Sequence, residues 1–152
     1  MVKAETQARP SSFSASSLEQ THDIGRQIAK QLVFPSCVYL HGDMGAGKTT
    51  LTKSIIQAFG YVGAVTSPTY NLIQEYQVDQ GIIYHMDLYR LEDPSELEFL
   101  AVDDIWSERS LFLIEWPERA AGFLRAADCE IFISKAADKL QGTRDIALKF
   151  LS

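Results

Sequence analysis

The chain has 152 residues, 46% hydrophobic and 22% charged, enough for one domain that buries most of its apolar surface without cross-links. With 14 basic against 20 acidic side chains the formal net charge is −6, so the surface as a whole repels a polyphosphate backbone and strong direct binding to nucleic acid is not expected. No run approaches the roughly 18 apolar residues of a membrane span and the first twenty residues lack the apolar core of a secretory leader; the expectation is a soluble, cytoplasmic protein with no membrane partner.

Residues 1–12 are polar and read as a flexible N-terminus, with a single domain over 13–152. Phe13 begins a short edge strand, and Ser17 with Gln20 forms a capping box for an amphipathic helix over Leu18–Val33, ended by Pro35. Cys37–His41 is a strand and Lys48–Phe59 a helix, with Gly60 as its C-terminal cap. After a connector, Tyr70–Val78 and Ile82–Tyr89 read as two strands of a hairpin turning at Asp79-Gln80-Gly81, which predicts a mixed sheet. The segment 91–108 holds seven acids and no Lys or Arg, with Pro94 and Ser95 starting a helix that runs through Leu100. It is either a solvated acidic face or a partner surface. Leu111–Glu115 is a fully buried strand, Ala120–Ala126 looks helical, and Glu130–Ser134 and Asp145–Leu151 close the sheet around a turn at Gly142. Cys37 and Cys129 lie in apolar strands outside any C-x-x-C pair, which favours buried thiols over a disulfide. The fold class is α/β, a P-loop NTPase-like three-layer fold with a mixed parallel and antiparallel central sheet.

The chemistry concentrates in residues 42–50. Gly42, Gly47, Lys48 and Thr49 satisfy G-x-x-x-x-G-K-[ST] between a strand and a helix. Glycines at 42, 45 and 47 let the backbone curl so that successive amides face a phosphate oxygen. The helix opening at Lys48 adds unpaired N–H groups and its positive dipole end. Lys48 reaches the β- and γ-phosphates and the Thr49 hydroxyl holds Mg²⁺. Asp43, Met44, Ala46 and Thr50 complete the nucleotide-binding stretch.

Such a loop needs acids to complete the metal site and orient water. Strand alternation puts His85 and Asp87 on one face and Tyr84, Met86 and Leu88 on the other. Asp87 is then a magnesium-shell candidate or a turn-capping residue, and His85 reads as structural. Glu115 ends an apolar strand of Walker B form, in a water-orienting or magnesium-linked role or else as a rim carboxylate. Trp116 packs beside the nucleotide or in the core. Thr66, Ser67 and Thr69 form a candidate switch that senses the γ-phosphate, or an ordinary loop. Arg90 reaches phosphate or pairs with the acidic run. The absence of an N-K-x-D motif disfavours GTP.

Four ordered motifs, Gly42–Thr50, Thr66–Tyr70 with Glu75-Tyr76, His85–Leu91 and Glu115–Arg119, resemble the bacterial TsaE (YjeE) family, from about residue 13 onward. Met44 stands where a leucine is usual. The resemblance implies a weak ATPase using ATP/ADP and Mg²⁺. It would act with the TsaB and TsaD proteins in forming threonylcarbamoyladenosine on tRNAs that read ANN codons, touching tRNA only indirectly or weakly. It assigns Lys48 and Thr49 to phosphate and magnesium, 67–69 to a switch, Asp87 to magnesium, and Glu115 with Trp116 to the nucleotide. Two other classes compatible with the loop are a small-molecule kinase, against which stands the lack of an Arg-rich lid segment, and a nucleotide-binding module without hydrolysis.

Overall fold

The computed structural model describes residues 11–68, 72–99, 102–136 and 142–151. Within them β1 (Ser12–Ala15), β2 (Ser36–His41), β3 (Ile73–Val78), β4 (Gly81–Asp87), β5 (Ser110–Glu115), β6 (Cys129–Lys135) and β7 (Arg144–Phe150) form one sheet in the order β1-β7-β6-β2-β5-β4-β3. β2 lies between β6 and β5, parallel to both, and β4 is parallel to β5. β3 pairs antiparallel with β4, β7 with β6, and β1 with β7, giving the mixed sheet that the hairpin predicts.

Helices α1 (Leu18–Ala29) and α2 (Lys48–Ala58) cover one face, where Ile24, Ile28, Leu51 and Ile55 pack on Leu40, Ile83 and Leu113. Each fully buried aliphatic side chain here contributes about 2 kcal/mol. Among the described residues the other face carries only short pieces, α3 (Glu96–Phe99), α4 (Val102–Ile105) and a 3₁₀ turn at Pro117–Ala120. Leu97, Val102 and Ala120 from these pieces cover Met86, Phe112 and Ile114. The third layer is therefore thin.

The two central strands present alternate side chains to two cores. On β5, Leu111 and Leu113 face the α1–α2 side while Phe112 and Ile114 face the other. Glu115 follows the same alternation onto the α2 side, which is how an acid reaches the phosphate loop from a strand buried at every residue. Cys37 and Cys129 belong to opposite cores, so sheet alternation separates the two thiols. Burial pushes the pKa of each up to about 12.

Local departures from the sequence reading have physical causes. Ser17 caps α1 by accepting the Gln20 amide at 3.1 Å, but Gln20 returns its bond to the amide of Ser16 rather than to Ser17. The helix ends at Ala29, and Gln31 and Leu32 continue it only through tighter i to i−3 bonds. Leu18 is 61% exposed, because the first helical turn projects beyond the core that Ile24, Ile28 and Leu32 share. The helix expected over Ala120–Ala126 is absent. A 3₁₀ turn precedes it at Pro117–Ala120, and Gly122 at φ 88° breaks the chain there. The helix expected from Pro94-Ser95 through Leu100 is present as α3 over Glu96–Phe99; residues 100–101 lie outside the described set, and α4 follows at Val102–Ile105. β3 is described from Ile73, so the part of the expected strand at Tyr70–Asn71 lies outside the described residues. In the acidic stretch Leu91, Leu97 and Val102 are buried while Glu92, Asp93, Glu96, Glu98, Asp103 and Asp104 are exposed. Apolar residues anchor the segment and the charges remain hydrated.

Candidate phosphate-binding site

β2 ends at His41 and the chain turns through Gly42–Gly47 into α2. Gly45 at φ 78° and Gly47 at φ 108° adopt left-handed backbone, which side chains with a Cβ disfavour by roughly 1 kcal/mol or more. Gly42 is needed for a different reason: a Cβ there would stand 2.6 Å from the carbonyl oxygen of Ile133 on β6. The Ala46 amide donates to the Asp43 carbonyl at 3.0 Å, tightening the loop. Gly47 caps α2 without any side-chain bond, leaving the first-turn amides oriented along the helix axis toward the loop.

Lys48 is 6% exposed. Its ammonium donates to the Gly42 carbonyl of its own loop and lies 3.6 Å from the ring centroid of Trp116. Burial depresses the Lys48 pKa, and the negative charges of Glu115, Glu118, Asp87 and Asp43 oppose that shift and favour the charged form.

The acids arrive from neighbouring parallel strands. Asp87 and Glu115 are cross-strand partners at the ends of β4 and β5. Glu115 is 2% exposed; its Oε1 accepts the Thr49 hydroxyl at 2.9 Å and its Oε2 lies 2.5 Å from Nε2 of His85, itself 0% exposed. With Glu115 as a carboxylate, which only accepts, Nε2 of His85 is the donor of this bond. Nδ1 of the same ring is buried with no hydrogen-bond partner among the described residues. Asp87 accepts the Tyr89 amide at 3.1 Å. Burial raises its pKa; the Tyr89 bond opposes the shift, and the nearby Glu115 charge adds to it.

These groups border a cleft of about 500 Å³ lined by Asp43–Thr50, Ser67, Pro68, Leu72, Asp87, Tyr89, Arg90, Glu115 and Trp116. Trp116 has left-handed φ 57° and ψ 50°, an uncommon conformation for a bulky residue, and its ring leans on Tyr89 at 5.1 Å. Arg119 lies 5.4 Å from the Tyr89 ring centroid. Arg90 is exposed at the cleft wall.

The chain thus brings Lys48, Thr49, Asp87, Glu115 and Trp116 to one cleft with Ser67 at its edge. Thr66 is exposed and tied elsewhere: its amide and carbonyl both bond the Tyr76 hydroxyl, at 3.1 and 2.9 Å. Thr69 lies outside the described residues. No group of three or more His, Cys, Asp or Glu side chains with metal-binding geometry occurs among the described residues. The donor set of one hydroxyl and two carboxylates nevertheless suits Mg²⁺, a hard cation that takes few protein oxygens and completes its shell with waters and substrate phosphates. Sequence reading placed His85 on the correct face but missed its bond to Glu115. The signal available was the two-residue spacing from Asp87 on a strand paired with β5.

Comparison with known proteins identifies the family and the fold. A tRNA threonylcarbamoyladenosine biosynthesis protein TsaE from Haemophilus influenzae is 54% identical over 91 residues, covering 60% of this chain and 58% of that protein. The protein of the same name from Bacillus subtilis is 36% identical over 120 residues, covering 79% and 75% of the two chains. A crystal structure of Bacillus subtilis YdiB superimposes with a TM-score of 0.72 at 27% identity, covering 93% of this chain and 85% of that one. Residues 15–146 match the model of the family described as threonylcarbamoyl adenosine biosynthesis protein TsaE, and the chain belongs to that family.

Proposed function

We propose that this protein is a magnesium-dependent ATPase that supports formation of threonylcarbamoyladenosine in tRNA, acting in the cytoplasm with TsaB and TsaD. The observation that carries the reading is the Thr49–Glu115 hydrogen bond of 2.9 Å at the mouth of a glycine-rich loop, with Asp87 on the adjacent strand. Loop hydroxyl and strand-end acid are the pair a phosphate loop uses to hold and exploit a metal–triphosphate.

In this reading the curled backbone at 45–47 and the α2 N-terminus bind the phosphates. Lys48 leaves the Gly42 carbonyl for the β- and γ-oxygens, Thr49 and Asp87 would hold magnesium, and Glu115, fixed by His85, orients the attacking water. The chemistry magnesium would supply there is neutralisation of charge developing on the phosphate oxygens. Trp116 and Tyr89 shield the site from bulk water, and Ser67 with Thr69 senses the γ-phosphate. The net charge of −6 suits a factor that reaches tRNA through protein partners.

Reconstitution with TsaB and TsaD tests the proposal: ATP turnover and modified adenosine are both expected to require this protein and to disappear with Lys48→Ala, which leaves the fold intact. ATP turnover unchanged in folded Lys48→Ala would refute the site. Modified adenosine formed equally well without the protein would refute the pathway role.

A further inference from the structure

The outer side of the phosphate loop rests on a residue from the far end of the chain. Arg144 opens β7, separated from β2 by β6. Its Nε donates to the Ala46 carbonyl at 2.9 Å, Nη2 reaches the Gly45 carbonyl at 3.4 Å, and Nη1 bonds the Thr143 carbonyl at 3.2 Å. A trans peptide is planar, with its C=O and N–H directed oppositely. A donor that holds the Ala46 carbonyl outward therefore holds the Gly47 N–H inward. The corresponding partner of the Gly45 carbonyl, the Ala46 amide, is already committed to Asp43.

Packing holds the buried side chain of Ala46 but not the glycines on either side of it. Positions 45 and 47 have no atom within 4 Å of an ideal Cβ, and both residues are glycines with wide backbone freedom. A cation on a carbonyl also polarises its peptide and strengthens the N–H as a donor. The planar fork of arginine can engage two adjacent carbonyls, which an ammonium cannot reproduce with the same geometry.

We propose that Arg144 is a positioning residue for phosphate recognition, holding the Ala46–Gly47 peptide so that its N–H faces the anion. The inference rests on the reading of this loop as a triphosphate site. It differs from a simple brace between strands, because it requires loop order and affinity to change while the sheet does not.

Full-length Arg144→Met and Arg144→Lys separate these roles when Mg·ADP binding is measured by calorimetry and amide hydrogen exchange is followed in the nucleotide-free protein. Arg144→Met is expected to bind Mg·ADP about tenfold more weakly. Its Ala46 amide, bonded to the Asp43 carbonyl, should exchange faster while the amides of β6 and β7 exchange as in the wild type, and Arg144→Lys should fall between. Wild-type affinity in Arg144→Met overturns the inference. So does acceleration across β6 and β7 with a matching fall in melting temperature, which would mark a brace. If the wild type itself binds neither Mg·ADP nor Mg·ATP, the triphosphate reading fails and this inference with it; binding by the wild type and equal binding by Arg144→Met removes Arg144 alone.

Discussion

Nε2 of His85 stands 2.5 Å from Oε2 of Glu115, and both side chains are withdrawn from solvent in the layer beneath the phosphate loop. With Thr49 on Oε1, the carboxylate has a donor on each oxygen. A buried charge stripped of one donor loses about 2–3 kcal/mol. His85→Ala should therefore destabilise the protein by roughly that amount in urea unfolding. His85→Gln, whose amide can reach the same oxygen, should recover part of it. Equal stability of the alanine variant and the wild type would show that Glu115 does not depend on this ring.

Glu115→Gln separates binding from turnover. The neutral amide keeps one oxygen for Thr49, and its NH₂ donates to Nε2 of His85 once that ring carries its proton on Nδ1, so the loop and Lys48 remain in place, but the side chain no longer polarises water. ATP hydrolysis in the presence of partners should fall about 100-fold while the Mg·ADP dissociation constant stays within about threefold. A parallel loss of affinity and rate would move Glu115 from water orientation to metal binding.

Asp87 carries a stability cost that the proposed magnesium site would explain. Burial raises its pKa above the ordinary 3.8. The folded state thus holds the proton more tightly than the unfolded chain, and the stability linked to Asp87 is full below pH 3.8 and is lost as pH rises through the higher folded value. Asp87→Asn keeps an acceptor for the Tyr89 amide and removes the charge. At pH 7 the nucleotide-free variant should melt about 2 °C or more above the wild type, the gap closing on acidification, while Mg²⁺ no longer strengthens ATP binding. Thermal scans across pH with and without Mg²⁺ check both halves; a variant that melts below the wild type at pH 7 would contradict the first.

Much of this arrangement was legible because it depends on local pattern. The strand–glycine loop–helix at 37–59, the alternation that sends His85 and Asp87 to one face, and the apolar run ending at Glu115 each follow from periodicity and backbone sterics. What stayed hidden depends on pairs distant in sequence. His85 meets Glu115 because β4 and β5 pair in parallel register, and Arg144 meets Gly45 and Ala46 because β7 lies beyond β6. Gly25 looks like a weak spot within a helix, yet an added Cβ would stand 2.5 Å from the Cβ of Ser54, so it permits α1 and α2 to approach closely. The helix misplaced at 120–126 fails because Gly122 lies in left-handed backbone, a state composition does not report.

The contact between Lys48 and Trp116 supplies an optical readout of the site. The ammonium lies 3.6 Å from the indole centroid, close enough to alter its emission, and the same ammonium is the group expected to move onto phosphate. The chain has two tryptophans. The other, Trp106, packs on Phe112 at 5.2 Å and under Arg125 at 4.0 Å, so Trp106→Phe preserves an aromatic filler and leaves Trp116 as the sole indole reporter. In that background Mg·ADP should change Trp116 emission along a saturable curve that matches calorimetric binding. Adding Lys48→Met should give the nucleotide-bound type of emission before any ligand is present, because the cation is already gone from the ring, and the response to Mg·ADP should largely disappear. An unchanged response in the Lys48→Met background would place the optical signal in the nucleotide's own contact with Trp116 and not in the movement of Lys48.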